Sequence, residues 1–84
     1  MIINIDIYLK FEDEYYQKGG KFSTLPPFNG ANDAAKYANI YIKQFKREHG
    51  NKEVKIEKVI YEGTIDITAE VQKLFRNGNL YLVK

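Results

Sequence analysis

The fold turns on the stretch Ile2-Ile3-Asn4-Ile5-Asp6-Ile7-Tyr8-Leu9-Lys10-Phe11. Ile3, Ile5, Ile7, Leu9 and Phe11 alternate with Asn4, Asp6, Tyr8 and Lys10. A period of two in a run rich in β-branched residues predicts a half-buried strand over residues 2–11, with its odd positions facing a core. The alternation stops at Glu12-Asp13-Glu14. Beyond it, Gly19-Gly20 can turn a hairpin, since both glycines accept positive φ. Lys21 to Leu25 would then be a short second strand, ended by Pro26-Pro27, which cannot donate to a ladder. An open loop over residues 12–31 satisfies the same pattern.

An apolar strand face needs a second layer, and the chain carries two amphipathic helices to supply it. Residues 33–49 place Ala34, Ala35, Ala38, Tyr41, Ile42 and Phe45 on one arc. Asn32 is a candidate cap, Asp33 suits the positive end of the helix dipole, and Gly50 suits the stop. Glu53 to Tyr61 reads as the next strand, either central or bulged, because Val59-Ile60-Tyr61 is apolar on both faces. A shorter helix follows, capped by Asp66 or Thr68 and running to about Arg76, with Ile67, Val71, Leu74 and Phe75 as its buried stripe. Asn77-Gly78 would end it, and Leu80, Leu82 and Val83 would form a closing strand with Tyr81 on its opposite face. The expectation is one α+β domain over residues 1–84: a two-layer α/β sandwich in which two helices cover one face of a small three- or four-stranded mixed sheet. A strand–helix–strand crossover would make the first and second main strands parallel.

Composition narrows the chemistry. Eighty-four residues support a single core. Cysteine is absent, which excludes disulfide scaffolds, zinc–thiolate sites and thiol catalysis, and suits a reducing cytoplasm. The formal net charge of +2 is too small to imply nucleic acid by itself. The apolar run at residues 2–11 is too short and too interrupted for a bilayer span, and lacks the plan of a secretory signal. Phe, Tyr, Met, Ile, Asn and Lys, all encoded by AT-rich codons, make up nearly half the chain. That bias points to a low-GC bacterium, a phage or a mobile element.

No chemistry-bearing motif emerges. Phosphate loops, dinucleotide fingerprints and paired metal histidines are all missing, so no cofactor and no metal is expected and the chain reads as non-enzymatic. His49, the single histidine, lies at the end of the first helix, where packing and the helix dipole account for it. Glu12-Asp13-Glu14 before Tyr15-Tyr16 reads as a solvated strand end or an acidic-aromatic contact loop. Asp66 and Glu70 sit where a helix start explains them. The tyrosines are more informative. Tyr37 and Tyr41 fit core packing. Strand parity sets Tyr8, Tyr61 and Tyr81 on the face away from the core, with Lys10 and Lys55 nearby, and together these five form the candidate partner-binding patch. Tyrosine buries a large area at low entropy cost, which suits a contact surface. The polar arc of the first helix, Lys36, Ile40, Lys43 and Arg47, is the alternative face. These features point to a small protein-binding module, an adaptor, inhibitor or regulator, whose partner is another protein or a second copy of itself. Nucleic-acid binding, through the lysines and tyrosines of the sheet or through the basic face of the first helix, is the competing reading.

Overall fold

The computed structural model describes the backbone of residues 2–82 and the side chains of residues 2–76. Along the chain lie β1 (Ile2–Phe11), β2 (Glu14–Lys18), β3 (Lys21–Ser23), α1 (Ala31–Glu48), β4 (Lys55–Tyr61), β5 (Ile65–Asp66) and α2 (Thr68–Leu82). The strands form one sheet in the order β2-β1-β4-β5, with β3 also paired to β1. The α+β class holds, but the sheet has five strands and every pairing in it is antiparallel rather than mixed.

The hairpin accounts for the change of direction. Its turn falls at Glu12-Asp13, which closes the Phe11–Glu14 pair with φ of 50° and 65°. These are the left-handed angles of the two-residue turns that match strand twist, here occupied by residues other than glycine. Gly19-Gly20 does not turn the chain. The register is the same on either side of it, with Ile7 opposite Lys18 and Asn4 opposite Lys21. The Ile5 N–H donates to the Gly20 carbonyl across the gap at 3.0 Å. Gly20 has φ of 138°, and a Cβ on Gly19 would stand 3.0 Å from Asp6 Oδ1, so the backbone passes close to β1 here. Thus β2 and β3 form one interrupted strand that carries the chain back beside Ile2. Helix α1 then runs back towards the Phe11 end, where Phe45 meets Phe11. The next strand must start there, so β4 lies antiparallel to β1, Lys55 opposite Lys10 and Tyr61 opposite Ile5.

Both helices cover the odd face of β1. Ile3, Ile5, Ile7, Leu9 and Phe11 are buried with Ala34, Ala35, Ala38, Ile42 and Phe45 of α1, with Val54, Ile56 and Val59, and with Ile67 and Val71 at α2. The alanines let α1 approach the sheet closely. Its first residue follows Gly30, not Asn32, and no side chain caps it. Asp33 instead accepts the Asn29 N–H at 2.8 Å, which fastens the preceding loop. At the start of α2, Asp66 Oδ1 accepts the Thr68 N–H at 2.9 Å. Thr68 Oγ1 in turn accepts the Val59 N–H at 2.9 Å and donates to the Val59 carbonyl at 3.4 Å. The helix start thereby stands in for a missing strand beside β4.

The closing strand expected at residues 80–83 is not formed, since α2 runs through Asn77-Gly78 to Leu82. Val83 lies outside the described residues. A glycine inside a helix costs only about 1 kcal/mol, and three apolar residues are too few for their period to separate helix from strand.

Two outcomes follow from this core. Ile7→Ala removes a fully buried side chain from the central strand and should cost about 2–5 kcal/mol in urea unfolding. Ile2→Ala, at a position 64% exposed, should stay within about 0.5 kcal/mol. The second outcome concerns acid. The Asn29 N–H, helped by Lys36, holds Asp33 below the ordinary aspartate value of 3.8, and Thr68 does the same for Asp66. A depressed folded pKa gives stability that is present above the unfolded value and lost as pH falls through the folded one. The deficit of Asp33→Asn relative to the native chain, read by thermal unfolding, should therefore shrink as pH drops below about 3.8.

Candidate functional site

The even positions of β1 set the face that neither helix covers. Tyr8 and Lys10 are half-buried there, between neighbours on two strands. On β2, Gln17 stands opposite Tyr8 and Tyr15 opposite Lys10. On β4, Ile60 stands opposite Asp6, Lys58 opposite Tyr8 and Lys55 opposite Lys10. The open face is thus a field of tyrosine, lysine and glutamine with Ile60 at one side.

Like charges directly across a sheet repel, and Lys10 and Lys55 are such a pair. Each turns to a different neighbour. Lys10 Nζ lies 5.5 Å from the centroid of the Tyr15 ring, within cation–π range. Lys55 Nζ lies 3.6 Å from Glu57 Oε2. Gln17 Nε2 donates to the Tyr8 hydroxyl at 3.3 Å, which orients that ring along the face. Tyr15 remains 72% exposed.

Two members of the expected patch fall elsewhere. The β1–β4 register shifts between Tyr8 and Leu9: Tyr8 faces Lys58, Leu9 faces Ile56, and Glu57 is the extra residue of a bulge. One inserted residue moves every later side chain to the opposite face. Tyr61 therefore points to the helix side, where its ring lies 6.3 Å from Phe28. Tyr81 belongs to α2 rather than to a strand, and its side chain is outside the described ones. Tyr8, Lys10 and Lys55 are brought together as expected. Tyr15, Gln17, Lys58 and Ile60 join them unforeseen. The alternation of Tyr15 and Gln17 about Tyr16 was the available signal, and it becomes legible only once Glu12-Asp13 is taken as a turn.

The alternative face forms a stripe on the outer side of α1. Ile40 is 62% exposed, flanked by Lys36 and Arg47, with Lys43 half-buried. Lys36 Nζ lies 3.4 Å from Asp33 Oδ1, so part of the stripe's charge is met within the helix.

His49, Lys52 and Glu12 have structural duties. His49 is the C-terminal cap of α1. Its Nδ1 lies 2.8 Å from the Phe45 carbonyl, an acceptor, so the nitrogen donates. The ring stacks on Phe45 with centroids 4.0 Å apart and edges onto Phe11 and Tyr16. Lys52 Nζ meets Glu12 Oε1 at 2.8 Å, a contact that raises the lysine pKa and ties the α1–β4 loop to the hairpin turn. An open cleft of about 270 Å³ between these segments is lined by Lys10, Glu12, Asp13, Glu53 and Lys55. A second, of about 310 Å³, lies between β4 and α2 at Val54, Ile56, Gln72, Phe75 and Arg76. Neither holds a nucleophile beside a base, and among the described residues no group of three or more acidic or histidine side chains converges as a metal site would require. No helix among the described residues is long and apolar enough to cross a membrane.

Comparison of the chain with protein-family models, with curated proteins and with solved structures finds no match.

The bulge separates two tyrosines that parity alone would treat alike. Tyr61→Ser strips a ring from the core boundary and should cost about 1–3 kcal/mol in chemical unfolding. Tyr8→Ser on the open face should cost about 0.5 kcal/mol or less. Equal losses would contradict the register across the bulge.

Proposed function

We propose that this chain is a small non-enzymatic binding module that engages another protein through the open face of its sheet. The observation that carries this reading is the uncovered field of Tyr8, Tyr15, Gln17, Lys10, Lys58 and Ile60 opposite the face that both helices bury. Large tyrosine rings held by neighbours, with an apolar residue among them and lysines around them, have the make-up of an interface centre with a polar rim. The absence of cysteine suits a cytoplasmic setting, and the AT-rich composition suits a phage or mobile-element origin.

The charge pattern favours a protein over a nucleic acid. Lys10 lies over Tyr15, Lys55 is paired with Glu57, and Asp6 stands opposite Ile60 at one end of the field. A phosphate backbone laid on this face would meet a carboxylate among the lysines. A protein surface of mixed charge meets no such penalty.

The test replaces Tyr8 and Tyr15 by alanine in one chain. A photo-crosslinker at Lys58 first captures the partner in cells, and titration calorimetry then compares the native and altered chains. Binding should weaken by roughly thirtyfold or more, as truncating anchor tyrosines commonly costs about 2 kcal/mol. Circular dichroism should be unchanged. Unaltered affinity in the folded double variant would reject the open face and turn attention to Ile40 and its basic neighbours. Tight binding to single-stranded or duplex oligonucleotides at physiological salt, weakened by Lys10→Ala and Lys58→Ala, would replace the protein partner by a nucleic acid.

A further inference from the structure

The outer edge of β2 has no strand beside it among the described residues, because β2 is terminal in the sheet order. Its five residues, Glu14-Tyr15-Tyr16-Gln17-Lys18, carry opposite charges at their two ends. Antiparallel pairing of this strand with a copy of itself, centred on Tyr16, would set Glu14 opposite Lys18 of the second copy, and Lys18 opposite its Glu14. Tyr15 would face Gln17. We propose that the chain forms a two-fold symmetric dimer by this β2–β2 pairing, which joins the two sheets into one.

The phase of the backbone hydrogen bonds agrees with this register. The Gly20 carbonyl accepts the Ile5 N–H, and the register is unbroken from Gly20 to Glu14, so the even residues of the strand bond inward to β1. The backbone groups of Tyr15 and Gln17 therefore point outward. In an antiparallel pair, residues that exchange hydrogen bonds alternate with residues that do not. Centring on Tyr16 makes Tyr15 and Gln17 the bonded pairs, whose outward groups meet. The Glu14–Lys18 pairs become the non-bonded ones, where Cα atoms approach to about 4.5 Å and side chains interact most. Centring on Tyr15 would instead set Lys18 against Glu12 of the turn, and centring on Gln17 would set Glu14 against Gly20. A parallel arrangement would bring like charges side by side. Only the Tyr16-centred antiparallel register satisfies all five residues.

Side-chain placement agrees as well. Tyr16 lies on the helix side, its ring 5.3 Å from Phe45 and 6.4 Å from Phe11, so the two copies would extend one aromatic cluster across the axis. Tyr15, 72% exposed, would gain the Gln17 side chain of the second copy on the open face. An open strand edge that is not guarded against pairing is a template for another strand. Here the end charges select one partner and one register. The dimer does not depend on what the open face binds, so either proposal can fail alone.

Sedimentation equilibrium of the full chain over a range of concentrations tests it. The native chain should shift with concentration from the mass of one chain to that of two. Lys18→Glu sets carboxylates against each other at both ends and should weaken association about tenfold. The double reversal Glu14→Lys with Lys18→Glu restores the complementarity and should restore the native constant. Gln17→Pro removes an outward N–H without touching the inward bonds to β1, and should abolish the dimer while circular dichroism stays native. A native chain that stays monomeric up to about 1 mM overturns the proposal. So does a dimer indifferent to both Lys18→Glu and Gln17→Pro.

Discussion

Pairing of β1 on both of its edges, with its odd face buried beneath two helices, is the constraint from which the other elements take their positions. Ile5 and Ile7 are fully buried, and the strand has β2 and β3 on one side and β4 on the other. A strand so held leaves no freedom of register, because a slip of one residue would send five apolar side chains into water. The direction of β2, the end of the sheet at which α1 begins, and the antiparallel sense of β4 are all consequences of the hairpin that follows β1.

The same constraint creates the open face. Two helices suffice to cover one side of so small a sheet, and the even residues of β1 are left on the other. Their chemistry is mixed, not uniformly charged: tyrosine rings lie among lysines, and the lysines are drawn sideways to Tyr15 and Glu57. The two edges of the sheet are treated differently. On the β4 side, Thr68 and Gln72 of α2 take up the backbone groups of Val59 and Ile56. On the β2 side no such cover is present among the described residues, and the strand there carries complementary end charges instead.

The candidate site was legible in part. Tyr8 and Lys10 could be placed because they share a strand with an unambiguous alternation, and Lys55 because it precedes the bulge. Tyr61 could not, since Val59-Ile60-Tyr61 is apolar throughout and hides the position of the extra residue. Tyr15 and Gln17 were obscured by a turn made of Glu12 and Asp13, which lacks the glycine that two-residue hairpin turns favour. Gly19-Gly20 drew the turn to itself on composition, whereas its glycines serve a backbone that passes close to Asp6.

By itself the sequence determined β1, the extent of α1 to within two residues, the start of α2, and the α+β class. Each rests on a period or a cap that is local in the chain, and local patterns need no knowledge of what lies across the sheet. The tertiary structure alone decided the direction of β4, the face of Tyr61, the passage of the strand through Gly19-Gly20 and the continuation of α2 to Leu82. The first three depend on which backbone groups find partners in another strand, and the last on helix hydrogen bonds that outweigh one glycine. A strand's face and direction are set by hydrogen bonds to residues far away in the chain, and a pattern of side chains read along one segment carries no record of them.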